Sequence, residues 1–245
     1  IMSPVQAMVR RELRGYFVTA QAYLFLILFL VGSGFLTFYL GDFYTRDQAD
    51  LQPFFDLHPW LYLILVPAIT MRSWADERKA GTLELLLTLP VSVSQAVLAK
   101  FLAAWIFIGI ALALTFPIWI TVNYLGSPDN GVIIAGYLGS WLMAGTFLAI
   151  GSALSASTNS QVVAFILTLM VCLLLLLAGL GQVQDIFQGL LPSRWILAVG
   201  QLSMLRHFEA IALGVLDLHD IAYFLLSTAA WLLAGGLLLN LKRAG

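Results

Sequence analysis

Charged side chains are scarce in this chain: 12 Lys and Arg and 13 Asp and Glu among 245 residues, against 61% hydrophobic residues and a mean hydropathy of +0.94. A soluble domain of this length cannot hide so much apolar surface, which excludes a water-soluble globular protein. The signs nearly balance, with a formal net charge of -1, and no basic cluster is interleaved with aromatics, so a nucleic-acid partner is excluded. Cysteine occurs once, as Cys172 inside an apolar run, so no intrachain disulfide can form and the thiol reads as a small packing group. No Gly-x-x-x-x-Gly-Lys-Ser/Thr loop occurs, so the chain lacks the usual phosphate cradle for ATP. His58, His207 and His219 show no metal-ligand spacing and no His-Glu-x-x-His occurs. We therefore expect no catalytic residue, no metal and no cofactor on this chain. The centres of the apolar runs carry almost no ionisable groups, which weighs against both an intramembrane enzyme and a proton-driven carrier.

What is present is apolar sequence in lengths that match a bilayer. A span needs about 20 apolar residues, and six segments qualify: about Ala22 to Leu40, His58 to Arg72, Val97 to Leu125, Gly131 to Ala156, Gln161 to Leu180, and Ile221 to Leu241. The second is short as written and is extended by Phe54 and Phe55 before it and by Ser73 and Trp74 after it. The first run is too long for the core of a cleaved signal and lacks a small-residue cleavage site, so we expect a retained span. The fold class expected is an all-α membrane protein of six transmembrane helices in a single domain over residues 1–245.

Six spans put both termini on one side. Arg10, Arg11, Arg14, Arg72, Arg78, Lys79, Lys100, Lys242 and Arg243 fall on that side, against Arg46, Arg194 and Arg206 on the other. Basic loops stay cytoplasmic, so both termini are expected inside, in a multi-pass protein of a bacterial inner membrane.

Ser3 is placed to cap a helix with Pro4 at its first position. Val5, Met8, Val9, Leu13, Tyr16 and Phe17 then recur at helical spacing opposite Arg10, Arg11 and Arg14. This predicts an amphipathic helix whose three arginines face anionic lipid at the inner leaflet. The alternative is a plain extension of the first span with a basic face. Gly181 to Asp220 is rich in Leu, Ile and Phe and punctuated by Gly189, Pro192 and Gly200, which predicts short helices in the outer leaflet. Pro67 and Pro117 predict kinks in spans two and three. Gly145, Ala149, Gly151, Ser152, Ser155 and Ala156 allow close helix approach along span four. The hydroxyls of Ser152 and Ser155 read as packing or capping groups.

Charge concentrates in one place, the segment from Met71 to Lys100. Span two continues past the membrane to about Lys79, where Ala80-Gly81 interrupts it. Thr82 can cap a short helix over Leu83 to Leu89, Glu84 suits its first turn, and Pro90 stops it. Ser92 and Ser94 can cap span three near Gln95. A solvated connector also carries charge, but this run couples its charges to an ordered break, cap and stop.

The stretch from Pro67 to Pro90, with Glu77, Gly81, Thr82 and Glu84, resembles the first cytoplasmic loop of type-2 ABC permeases. It is most similar to the gliding-motility and nitrous-oxide-reductase-maturation group. The likeness runs on through the basic leading helix, the six spans, Gly126 to Gly131 and Gly214 to Asp217. It implies that Ala75 to Leu89 is a cytoplasmic coupling helix seated in a cleft of a separate ATPase subunit dimer, which holds the ATP and magnesium. Asp76, Glu77, Arg78 and Glu84 would then make polar contacts, Leu83, Leu86 and Leu87 would anchor, and Gly81 and Thr82 would set the turn. A second copy or a paralogue would complete the pathway, membrane lipids would surround it, and the outer segments could dock an accessory protein. The expected role is the permease subunit of an ATP-driven exporter, with lipidic cargo and mechanical transmission both open. The competing role is a non-transporting scaffold that recruits a cytoplasmic factor through the charged loop.

Overall fold

A computed structural model describes residues 3–40, 43, 49–79, 81, 92–187 and 192–241, and every regular element among them is helical. Among the described residues, five helical stretches are long and apolar enough to cross a membrane: Ala20–Tyr39, Gln52–Lys79, Val93–Leu125, Asn130–Ser157 and Leu218–Leu241. The remaining apolar helix, Gln161–Leu177, has 17 residues and is shorter than these.

Helix α1 (Pro4–Val18) opens with a capping box, in which the Ser3 hydroxyl accepts from Gln6 N–H and the Gln6 side chain accepts from Ser3 N–H. Its apolar stripe packs on the protein. Met8 is buried with Trp74, Val97 and Ala156, Val5 and Val9 pack on that cluster, and the Tyr16 ring stacks on Phe107 at 5.1 Å. Arg10, Arg11 and Arg14 remain on the exposed face. Helix α2 (Ala20–Phe35) follows after a bend at Thr19 and ends in a π-helical turn, Leu36–Leu40, where the Thr37 hydroxyl donates to the Ser33 carbonyl.

Helix α3 (Gln52–Thr70) begins earlier than hydropathy alone predicts. Phe54 and Phe55 are buried, and Gly136, on the long helix that spans residues 130–157, admits the Phe55 ring: a Cβ on that glycine would lie 2.5 Å from it. Four turn residues then lead into α4 (Ala75–Lys79), and Gly81 follows at φ +68°. That left-handed conformation favours glycine and ends the helix. Helices α5 (Val93–Ala113) and α6 (Phe116–Leu125) form one apolar stretch broken at Leu114–Thr115. The break precedes Pro117, which has no N–H to donate and whose ring crowds the carbonyl four residues earlier. The Thr115 hydroxyl donates to the Leu112 carbonyl and pairs with the Tyr137 hydroxyl at 2.8 Å.

Helix α7 (Asn130–Ser157) is the axis of the bundle, packed by α3, α5, α8 (Gln161–Leu177), α11 (Met204–Ala212) and α12 (Leu218–Leu241). Its small residues explain this. A Cβ at Gly151 would overlap Thr70, one at Gly139 would meet Ile211 at 2.7 Å, and α12 brings Gly235 within 3.2 Å of the Ala153 Cα by the same measure. Trp105 on α5 and Trp141 on α7 stack at 4.1 Å, and each indole N–H donates to the other residue's carbonyl, at 2.9 and 3.1 Å. Short helices α9 (Gly181–Phe187), α10 (Ser193–Gln201) and α11 fill the segment before α12, as its punctuated composition predicts. Helices α2, α8 and α12 leave long apolar faces exposed, as lipid or helical partners require. The bundle has a basic end, carrying α1 and α4, and an acidic end, carrying α11 and the start of α12.

Candidate functional site

The site is built around Trp74, where the chain leaves α3 and turns at the basic end. Its side chain is buried and its indole N–H donates to the Ser152 hydroxyl at 3.0 Å. One turn further along α7, the Ser155 hydroxyl accepts from Trp74 N–H at 3.1 Å and Ala75 N–H at 3.2 Å, and donates to the Met71 carbonyl at 3.2 Å. Both lone pairs and the proton of one hydroxyl are thereby used. Ser155 thus caps α4 from a neighbouring helix, which the first N–H groups of any helix need.

Arg78 reaches the other way. Its Nη2 donates to the Ala156 carbonyl at 2.7 Å and Nη1 to Asn159 Oδ1 at 3.2 Å. A guanidinium there satisfies the last turn of α7 and suits the negative end of its dipole. Asp76 accepts from the Gln161 amide at the start of α8 and lies 4.0 Å from Arg72.

Lys100 completes the joint from α5. Its ammonium lies 2.8 Å from Glu77, 3.4 Å from Glu12 and 5.2 Å from the centre of the Trp74 ring, and its side chain is only 10% exposed. Arg11 also pairs with Glu12, at 2.7 Å. Burial pushes the Glu12 carboxyl up, but the charges and hydrogen bonds of Lys100 and Arg11 outweigh it and hold the carboxyl below its usual range. Beside these charges, α1, α2 and α3 enclose a cavity of about 520 Å³ with a polar mouth at Arg72, Glu77 and Lys100 and an apolar wall of Phe25, Leu65 and Phe107.

The structure therefore places Asp76, Glu77 and Arg78 on α4 with their side chains bonded to the chain's own helices. Gly81 forms the left-handed turn beyond them. Thr82, Leu83, Glu84, Leu86 and Leu87, with the helix expected over Leu83 to Leu89, lie outside the described residues. Sequence reasoning passed over Trp74, Lys100 and Asn159 as parts of the site. Two signals were there to be read: a lone lysine at the head of an apolar run, and two serines three apart at the end of a helix of small residues.

A second polar cluster forms at the acidic end from residues that spacing sets apart. His207 on α11 is buried, with Nδ1 2.6 Å from Asp220 Oδ1 and Nε2 2.9 Å from the Gln201 carbonyl, and its ring stacks on Tyr223 at 4.0 Å. His219 Nδ1 lies 3.6 Å from the same carboxylate oxygen. The candidate ligand atoms of His207, His219 and Asp220 all lie within 4.8 Å of one another, a grouping the sequence spacing does not predict. His58 is buried among Phe29, Phe54, Phe55 and Tyr62.

Comparison with known proteins follows the helical bundle rather than any single residue. The model of a family described as ABC-2 family transporter protein matches residues 9–240 of this chain. No curated protein matches it.

Proposed function

Because the chain belongs to the ABC-2 transporter family, we propose that it is the membrane-spanning permease subunit of an exporter driven by a separate ATP-binding-cassette ATPase. The chain takes no catalytic part; ATP and magnesium sit on the partner dimer. The observation that carries this reading is the joint around Trp74, which ties the charged segment at once to α1, α5, α7 and the start of α8. A push delivered to residues 82–91 reaches three membrane helices and the leading helix α1 through bonds already made. In this reading Asp76, Glu77 and Arg78 are the stem of the lever, and the ATPase contacts fall on Thr82, Leu83, Glu84, Leu86 and Leu87.

Helix α8 brings the number of spans to six, since its 17 residues, apolar apart from Gln161 and Thr168, reach the lower limit for crossing a bilayer. The basic end then faces the cytoplasm of a bacterial cell, with both termini inside. Arg10, Arg11 and Arg14 face anionic headgroups, and α9 to α11 lie in the outer leaflet. The apolar faces of α2 and α8 are available to a second copy or a paralogue. The charged mouth and apolar wall of the 520 Å³ cavity suit an amphipathic cargo with a lipid-like tail.

The test is purification of the tagged protein in nanodiscs together with its co-expressed ATPase, followed by measurement of ATP hydrolysis. Wild type is expected to carry a stoichiometric ATPase. Gly81→Asn, which tolerates a left-handed φ, should retain it. Gly81→Pro, locked near −65° where the chain needs +68°, and Glu84→Lys should insert normally and lose it. A lone membrane protein from wild type, or full complex with both disruptive variants, overturns the reading.

A further inference from the structure

We propose that His207, His219 and Asp220 form a binding site for a borderline divalent cation of the zinc class, clipping α11 to the first turn of α12. Two nitrogens and a carboxylate oxygen make a donor set that Zn²⁺ accepts in tetrahedral geometry, with solvent as the fourth ligand.

The hydrogen bonding of His207 favours this role. Its Nε2 faces the Gln201 carbonyl at 2.9 Å, and a carbonyl can only accept, so the ring proton belongs on Nε2. The Nδ1 lone pair is then left pointing at a carboxylate oxygen 2.6 Å away. Two acceptors at that distance need something positive between them, which either a second ring proton or a bound cation supplies. Metal-ligating histidines commonly donate their second nitrogen to a backbone carbonyl in this way, which fixes the ring and its tautomer. Tyr223 fixes it further: its ring stacks on His207 and its hydroxyl donates to the Leu202 carbonyl at 2.6 Å.

The spacing needs little adjustment. Metal–ligand bonds of about 2.0–2.1 Å at tetrahedral angles hold two donor atoms about 3.3 Å apart. The present separations from Asp220 Oδ1, 2.6 Å to His207 and 3.6 Å to His219, lie on either side of that value. Access is provided by His219, whose side chain is 66% exposed while those of His207 and Asp220 are 3% and 12% exposed. The turn before α12 sets the pair in place: Gly214 at φ +88° reverses the chain, and the Asp217 carboxylate accepts from His219 N–H.

The experiment uses the full chain in nanodiscs after chelator treatment, titrated with ZnCl₂ by calorimetry and with CoCl₂ by visible absorption. One saturable equivalent of Zn²⁺, and the intense visible bands of tetrahedral Co²⁺, are expected. His219→Ala, at an exposed position outside the core, should weaken Zn²⁺ binding by about 10–100-fold, on the scale of losing a supporting group at a metal centre, and Asp220→Asn should do the same. Bound Zn²⁺ should also raise the thermal midpoint of wild type and leave that of His219→Ala unmoved. Absence of saturable binding, octahedral Co²⁺ spectra, or affinity unchanged by either substitution overturns the site and leaves a simple His207–Asp220 pair.

Discussion

The two ends of the bundle fasten a short helix by different means. At the basic end, α4 is held by several side chains from four elements: two serine hydroxyls, the Gln161 amide, a guanidinium on the end of α7 and a lysine shared by two carboxylates. At the acidic end, α11 is held to α12 chiefly through one imidazole between a carbonyl and a carboxylate. The first joint is redundant. The second depends on one residue type whose bonding changes with what it binds. Redundancy suits an element that must pass on displacement without yielding, and a single adaptable contact suits one that is to be fastened on demand.

The strongest challenge to this contrast is Trp74→Ala. It empties a fully buried site and leaves Ser152 without its donor, so we expect a loss of about 3–5 kcal/mol, read from the thermal midpoint of the detergent-solubilised protein. A cost smaller than that of any acidic-end substitution would reverse the comparison.

Lys100→Met comes next, because it removes the cation that lies between Glu12 and Glu77. Removing one partner of a buried pair costs about 3–5 kcal/mol. With both carboxylates about one-fifth exposed, we expect a smaller loss, about 1–3 kcal/mol. Adding Glu77→Gln should recover part of it, and a strictly additive double variant would show that the lysine does not join the two elements. At the acidic end, Tyr223→Phe removes one hydrogen bond and should cost about 1 kcal/mol.

The smallest effect expected is acid-dependent. The Glu12 carboxyl is held below its ordinary value of 4.5, so its contribution is complete above that value and is lost as pH falls through the lowered one. Amide exchange in α1 should therefore accelerate on acidification below about pH 4.5 relative to a chemical-rate control, and Glu12→Gln should remove that step. Unchanged protection of α1 in acid would mean that the helix is held by Met8 and Tyr16 alone.

Much of the bundle is legible because hydropathy and length are local properties. The first, third, fourth and sixth apolar segments match helices to within a few residues. The second matches once it is extended by Phe54 and Phe55 and carried to about Lys79, although Pro53 and Asp56 lower the local hydropathy; what holds those two rings inside, the space at Gly136 on α7, is not local. Pro117 signals a break in the third segment, yet the break falls at Leu114–Thr115, where Tyr137 on another helix meets the freed hydroxyl. The charged segment stands out because charge is rare elsewhere, and capping by Ser155 is within reach of its position near the end of α7. That Glu77 turns toward Lys100, or that His207 meets Asp220 13 residues later, depends on how helices lie against one another. No local spacing encodes that.

The paired tryptophans of α5 and α7 have a mechanical consequence. Each indole is bonded to the other residue's backbone, so the two bonds run in opposite senses across one interface. Sliding either helix by one residue, a rise of about 1.5 Å, would carry both donors off line from their acceptors at once and weaken both bonds together. Neighbouring helices can rock about this point but cannot shear past it. The α5–α7 pair is thus a pivot with a fixed register, and motion must be taken up where the backbone already yields, at the Leu114–Thr115 break and the π-helical end of α2.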